Sequence, residues 1–182
     1  MIYFVTHNKN KYIEAYKEFK ENGIDISWIE MEYPEVQGND NEFISRWSCE
    51  SLVGQVNEPF FIDDTGLYIE NLNGFPGPYA SYVHDTLGNS LIVRLASGSR
   101  AYFKTVISFY YKNNIYQFSG ILKGIIADVE HGGHAFGYDP IFVPENSNKT
   151  LSELSIEEKN KISHRGKAIK KFMAFLKDNS IV

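Results

Sequence analysis

Ile2-Tyr3-Phe4-Val5-Thr6-His7-Asn8-Lys9-Asn10-Lys11-Tyr12 opens with a four-residue apolar run that stops at residues suited to capping a helix. The run reads as a strand buried in a sheet, and the stop predicts a helix behind it. Tyr12, Ala15, Tyr16 and Phe19 recur at steps of three and four, lysines and glutamates fill the other face, and Asn22-Gly23 supplies a left-handed stop. Strand, loop and amphipathic helix set the fold class. Working outward, residues 24–29 alternate as a second strand, and a loop through Tyr33-Pro34-Glu35-Val36-Gln37-Gly38 leads to a helix expected over 41–56, with Phe43, Ile44, Trp47 and Leu52 facing the core.

Phe60-Phe61-Ile62 is a third apolar run, ending at Asp63-Asp64-Thr65-Gly66. Gly74-Phe75-Pro76-Gly77-Pro78-Tyr79 is too rich in Gly and Pro for a helix or inner strand and reads as an ordered loop. Residues 101–111 and 115–122, joined around Asn113-Asn114, have the composition of a long antiparallel hairpin. The turn-rich His131-Gly132-Gly133-His134-Ala135-Phe136-Gly137-Tyr138-Asp139-Pro140 precedes the short apolar run 141–143. Ser155-Ile156-Glu157-Glu158 has capping-box spacing, and a last helix is expected from Ser163-His164-Arg165 to about 176, burying Ala168, Ile169, Phe172, Phe175 and Leu176. The expected architecture is α/β, a mixed central sheet flanked by helices, in one domain spanning 1–182.

The 182 residues are 43% hydrophobic and 15% aromatic, which supplies the core that a disordered chain lacks. A lone cysteine, Cys49, excludes an internal disulfide and a Cys-rich zinc site, and suits a reducing cytoplasm. No apolar run approaches the roughly 18 residues of a membrane span, and the N-terminal run is too short for a signal peptide, so a cytoplasmic protein without a membrane partner is expected. A net charge of −5 disfavours a broad grip on long nucleic acid but leaves room for a small polyanion in a local cationic pocket.

Four stretches could carry chemistry. Thr6, His7, Asn8, Lys9, Asn10 and Lys11 lie between a strand and a helix N-terminus, where backbone N–H groups and a positive dipole end suit a phosphate, although a plain helix cap with solvated lysines fits equally. Asp63 and Asp64 are adjacent, so they point to opposite faces and only one enters a given site; Asp64 is the choice, and with Glu35 from another loop it suits a hard cation such as Mg²⁺. Surface acids at turns are the plainer reading of the same pair. Between residues 159 and 177 stand seven basic residues and no acid, with His164-Arg165 at the expected helix start offering donors to planar oxo groups. In Phe136-Gly137-Tyr138-Asp139 an aromatic can stack on a base, a glycine lets the backbone approach it, and a carboxylate can bond its edge.

Taken in order, these stretches resemble the inosine/xanthosine triphosphate pyrophosphatase family over essentially the whole chain. The motifs are Thr6-His7-Asn8-x-x-Lys11, Pro34-Glu35, Asp63-Asp64-Thr65-Gly66-Leu67, Gly74-Phe75-Pro76-Gly77-Pro78-Tyr79, Phe136-Gly137-Tyr138-Asp139-Pro140 and Glu158-Lys159-Asn160-Lys161-Ile162-Ser163-His164-Arg165-Gly166. The resemblance implies an elongated mixed sheet with two lobes, a nucleotide cleft between them and a homodimer. It implies hydrolysis of ITP, XTP or dITP to the monophosphate and pyrophosphate. Thr6 to Lys11 would then cradle the phosphates, and Glu35 and Asp64 would hold Mg²⁺, with Asp64 accepting the proton of the attacking water. Thr65 would touch substrate, Phe136, Gly137, Tyr138 and Asp139 would recognise the base, Lys159 would contact substrate, and His164 and Arg165 would meet the purine oxo edge. One departure is His7, where the family usually has glycine; its side chain is expected either to crowd the phosphate loop or to add a phosphate contact. Arg46-Trp47 stands where some relatives carry a substrate-binding lysine, so neither is given that role. A module that binds or senses nucleotides without turning them over is the alternative that His7 raises, and a short-RNA binder using the basic C-terminal helix is a third.

Overall fold

The computed structural model describes residues 1–57, 59–132 and 136–182. Gly133, His134 and Ala135 of the turn-rich loop lie outside the described residues. Strand β1 (Ile2–Val5) is followed by helix α1 (Lys9–Glu21) and strand β2 (Ile26–Ile29), which pairs with β1 in parallel. Asn8 is the N-cap of α1, accepting hydrogen bonds from the backbone of Asn10 and Lys11. Helix α2 (Asn41–Ser51) leads to the ten-residue strand β3 (Phe60–Ile69), whose first residues pair in parallel with β1 and whose whole length pairs antiparallel with β5 (Arg100–Tyr111). A two-residue strand β4 (Pro76–Gly77) also joins β3, and helix α3 (Ala80–Ala96) precedes β5. Strand β6 (Asn114–Ile126) completes the hairpin with β5, and β7 (Phe142–Pro144) lies on its far edge, giving the order β2-β1-β3-β5-β6-β7. Helices α4 (Ile156–Ile162) and α5 (His164–Asp178) close the chain.

The mixed α/β class read from the sequence is what the chain adopts. Both faces of the β1/β3 end are covered. On one, Phe19 of α1 and Phe172 of α5 pack with Phe4, Phe61 and Phe109 of the sheet; on the other, Cys49 of α2 and Leu52 at its end pack with Val5, Phe60 and Ile62. The opposite end has its own core of Leu67, Ile69, Ile92, Phe103, Ile141 and Phe142. Burying each such aromatic ring or aliphatic chain stabilises the fold by roughly 1.5–3 kcal/mol, and the continuous β3/β5/β6 sheet ties the two ends together. Among the described residues no helix is long and apolar enough to cross a membrane.

Several local expectations are corrected. Asp63 and Asp64 do not end a strand: β3 runs through them to Ile69, because β5 pairs with every one of its residues. Pro76-Gly77 is not all loop but a short strand, tolerated because it sits at an edge. Helix α2 stops at Ser51, and Phe43 and Trp47 lie on its outer side; the buried stripe is Asn41, Ile44, Ser45, Ser48 and Cys49. The serines are buried because Ser45 Oγ meets Ser108 Oγ at 2.7 Å and Ser48 Oγ donates to the Pro34 carbonyl at 3.0 Å. The second strand begins at Ile26 rather than residue 24, and the hairpin strands extend to Arg100 and Ile126 around a turn at Lys112 and Asn113, both with positive φ. Helix α3 has no counterpart in the sequence reading. Gly88, at φ 71° and ψ 171°, breaks its periodicity into two short pieces.

Candidate active site

Strand β1 covers only Phe60 and Phe61 of β3, and β4 begins to pair only at Leu67, so the edge of β3 between them is open on that side. That gap lies where the chain leaves β1 for the Thr6-His7-Asn8 loop. A sheet edge at the carboxyl end of a parallel strand is where α/β folds form crevices. Here a cleft of about 630 Å³ opens, lined by residues from α1, the 32–35 loop, β3, the start of α3, the 136–139 loop, α4 and α5.

Side chains of β3 alternate as the strand geometry requires. Asp63 points under α1 and α5, where it is buried; Lys11 Nζ lies 2.8 Å from its Oδ1 and Arg165 Nε donates to its Oδ2 at 2.7 Å. Burial opposes its charge, yet Lys11 and Arg165 outweigh that and hold the carboxyl at about 2. Asp64 points the other way, toward α2, and lines the cleft with Glu35. Its Oδ2 accepts from Asn41 Nδ2 at 2.7 Å, and Tyr68 donates to Asn41 Oδ1 at 2.5 Å, which fixes the amide with its N–H groups toward Asp64. Burial pushes Asp64 up to about 6; the Asn41 bond and Lys11 pull down, and the charges of Glu35 and Asp63 push up again.

The two acids on which the cation reading rests therefore share one cleft. Asp64 takes its hydrogen bond from the neutral Asn41 amide, and two carboxylates from separate stretches of chain are oxygen ligands of the kind a divalent cation takes. Among the described lining residues Lys11, Lys159 and Arg165 stand against Glu32, Glu35, Asp64, Asp85 and Asp139.

At the end beside α1, His7, Asn8, Asn10 and Lys11 line the cleft, whereas Thr6 and Lys9 do not. Thr6 is buried, and its Oγ1 accepts from the Asn8 backbone at 3.1 Å, so it shapes the loop from within; Lys9 is exposed. Because Asn8 Oδ1 already accepts from the Asn10 and Lys11 amides, those N–H groups are not free for an anion as the bare sequence implied. The Lys11 ammonium, paired with Asp63, and the positive end of α1 stand at this end of the cleft. His7 is exposed and is not among the residues with positive φ, so its Cβ imposes no backbone strain there.

At the opposite end, Phe136, Gly137, Tyr138 and Asp139 all line the cleft beside Thr65, Lys159, His164 and Arg165. Phe136 lies over the cations, its ring centroid 5.3 Å from Lys159 Nζ and 6.0 Å from Arg165 Cζ. Lys159 donates to both Glu14 and Asp139 at 2.5 Å, and Arg165 Nη1 donates to the other Glu14 oxygen at 2.5 Å. Burial keeps Asp139 raised, whereas in Glu14 the pull of Arg165 and Lys159 overcomes burial and lowers it. His164 Nδ1 lies 2.6 Å from Thr105 Oγ1, which is 2.7 Å from Thr65 Oγ1, and the ring stacks on Phe103. Burial and the adjacent Arg165 and Lys159 charges hold this imidazole well below its usual range, so it is neutral at pH 7.

Sequence reasoning missed Glu14, Asn41, Tyr33, Tyr68 and the α3 residues Ser81, His84 and Asp85. Glu14 looked like one more charge on a solvated helix face, although its place three residues after Lys11 sets both on one side of α1. Tyr33 OH reaches the Asp63 carbonyl at 3.5 Å, and Asn41 is simply the first residue of α2, with no local signal for its long-range partner.

A family model described as the Ham1 family matches residues 2–175. A protein named dITP/XTP pyrophosphatase from Pyrococcus horikoshii is 48% identical over 98% of this chain and 97% of its own length, and one of the same name from Thermococcus kodakarensis is 41% identical over 97% of each. Among solved structures, a HAM1 protein from Coxiella burnetii superposes with a TM-score of 0.81 at 27% identity, covering 98% of this chain and 100% of that one. The Staphylococcus aureus Ham1 protein gives 0.73 at 29% identity, covering 97% and 99%. With the motifs, the fold and the cleft in agreement with these matches, the chain belongs to the Ham1/dITP-XTP pyrophosphatase family.

Proposed function

We propose that this protein hydrolyses deaminated purine nucleoside triphosphates, ITP, XTP and dITP, to the nucleoside monophosphate and pyrophosphate, removing them from the nucleotide pool of the cytoplasm. The supporting observation is one cleft that holds Asp64 and Glu35 near Lys11 at one end and an aromatic loop with neutral and cationic donors at the other. Glu35 and Asp64 would hold Mg²⁺, which when bound would offset the cleft's acidic excess and draw charge from the phosphate oxygens.

The chain's own groups supply the rest. Lys11, anchored on Asp63, sets a cation at the start of α1 beside the phosphates. Asp64, fixed in direction by Asn41, is placed to orient a water and take its proton. Phe136 offers a face for the purine. Arg165 and Lys159 keep N–H groups beyond those bonded to carboxylates, and these suit the 6-oxo group of a deaminated base. The 6-amino group of ATP would meet donor with donor, and unpaired polar groups in such a site are costly. The assembly proposed is a homodimer, as the resemblance implies, with a small-molecule substrate rather than nucleic acid as its ligand.

The test is pyrophosphate release from ITP, XTP, dITP and ATP with and without Mg²⁺. Release from the three deaminated substrates well above ATP supports the reading. Tight ITP binding without release would replace it with a nucleotide sensor.

A further inference from the structure

The Asp63 carbonyl lies on the stretch of β3 edge that neither β1 nor β4 covers, and side chains supply its donors there. Lys11 Nζ donates to this oxygen at 3.2 Å and Tyr33 OH at 3.5 Å. Lys11 comes from α1 and Tyr33 from the loop after β2, so donors from two separate stretches of chain converge on one atom, and both line the cleft. They are held unequally. Lys11 Nζ also lies 2.8 Å from Asp63 Oδ1, which leaves one of its three N–H groups. Among the described residues the Tyr33 hydroxyl has the Asp63 carbonyl as its one partner, at a distance well beyond the usual O–H···O length of about 2.7–2.8 Å, so it forfeits little by turning elsewhere. The ring that carries it is fixed. It packs against Val5, Cys49, Leu52, Phe60 and Ile62, and the carbonyl of the next residue, Pro34, accepts from Ser48 Oγ at 3.0 Å.

We propose that Tyr33 is a second phosphate-binding residue: when a triphosphate occupies the cleft, its hydroxyl leaves the Asp63 carbonyl and donates to an oxygen of the phosphate group that Lys11 binds. This rests on the function proposed above and adds to it a donor from outside the loop of residues 6–11. That loop offers a phosphate little. Asn8 Oδ1 accepts from the Asn10 and Lys11 amides, and the Lys11 charge is shared with Asp63, so the cation alone contributes one N–H and a partly compensated charge. A hydroxyl adds a hydrogen bond to a charged oxygen. It also suits the position better than another cation would, since Glu35 and Asp64 line the same cleft and would pair with a cation themselves.

Tyr33→Phe removes the hydroxyl and keeps the ring in its packing. Calorimetric titration with inorganic pyrophosphate and Mg²⁺ reads phosphate binding without turnover; kcat and KM for ITP and ATP are measured on the same full-length proteins, with thermal unfolding as a control. The pyrophosphate dissociation constant is expected to rise about tenfold, the loss of one hydrogen bond to a charged group. A like fall in kcat/KM is expected for ITP and for ATP, leaving their ratio unchanged, because the phosphates are common to both. A residue that only steadies the loop would lower the melting temperature and leave the pyrophosphate constant where it was. An unchanged constant therefore overturns the proposal, and where pyrophosphate binds neither protein measurably, an unchanged kcat/KM for ITP overturns it. A fall confined to ITP does so too, since it would place the hydroxyl at the base. If Tyr33→Phe does not fold, Tyr33→Leu, which keeps apolar bulk, is read in the same way. Failure of the unsubstituted protein to release pyrophosphate from ITP would instead refute the function on which this rests.

Discussion

Asp63 and Asp64 are neighbours in β3 whose carboxyl groups are driven in opposite directions, the first down to about 2 and the second up to about 6. The cause is the pleat. One side chain enters a pocket already holding Lys11 and Arg165, and the other enters a cleft where Asn41 is its hydrogen-bond donor and Glu35 adds like charge. In the metal-free protein two identical side chains thereby become a structural anion and a carboxyl whose charge burial opposes.

Asp64→Asn is expected to reduce kcat for ITP hydrolysis by a factor of about 10² to 10⁴, the range for loss of a positioned general base, while leaving the far-ultraviolet circular dichroism unchanged. Asn41→Ala should lose less, because it leaves the carboxylate present but free to rotate. Measurement of kcat for both checks the order. Equal losses would mean that Asn41 does more than orient.

Gly66 tests how tightly that arrangement is built. A Cβ added there would stand 2.7 Å from Asn41 Oδ1, 2.8 Å from the Tyr68 ring and 2.9 Å from the Gly77 carbonyl, closer than carbon atoms come. Gly66→Ala must push away the two residues that fix Asp64, so turnover is expected to fall at least about tenfold, with a stability loss of about 1–3 kcal/mol for overpacking. Urea denaturation and ITP kinetics on the same preparation read both effects, and a fully active variant would show that Asn41 and Tyr68 are dispensable.

Helix α3 gives the third prediction. Asn89, turned inward after the break at Gly88, donates from Nδ2 to the Gly137 carbonyl at 3.0 Å, and Tyr138 OH donates to the Ala80 carbonyl at 2.8 Å. Both ends of the helix's first half thus hold the 136–139 loop. Asn89→Ala removes one anchor without touching the cleft lining, and KM for ITP is expected to rise about threefold to tenfold, the equivalent of one hydrogen bond, with kcat nearly unchanged. A fall in kcat at constant KM would place the effect on chemistry rather than on the loop.

The legible parts of this molecule were those whose signal is local. The alternation and period of residues 2–22 gave β1 and α1, and the capping box at Ser155 formed as its spacing required. What escaped was whatever depends on a distant partner. Strand β3 could be followed through Asp63 and Asp64 only by knowing that β5 pairs along its whole length and that Lys11 and Arg165 wait on one side. Glu14 is written in the sequence like Glu21, yet one is buried between two cations and the other is exposed. Phe43 and Trp47 failed in the reverse sense, since apolar residues four apart need not face inward when serines opposite them find hydrogen bonds in the core.

The opposed shifts also fix the pH dependence of stability in metal-free protein. Asp63 in an unfolded chain titrates near 3.9, so its stabilising contribution, roughly 2 kcal/mol, is complete above that pH and disappears as pH falls toward about 2. Asp64 acts the other way: its folded form resists ionisation up to about 6, so the fold loses stability as pH rises from about 4 through 6. Urea denaturation between pH 3 and pH 7 should therefore show Asp63→Asn less stable than the unsubstituted protein at pH 7, by about 3–5 kcal/mol because Lys11 and Arg165 lose a partner, with the gap narrowing toward pH 3. Asp64→Asn should be equal or more stable at pH 7 and lose that advantage below pH 5. Adding Mg²⁺ at pH 7 should raise the stability of the unsubstituted protein and leave Asp64→Asn nearly unmoved, since only the former keeps both carboxylates for the ion. Identical Mg²⁺ responses in the two proteins would remove Asp64 from the cation site.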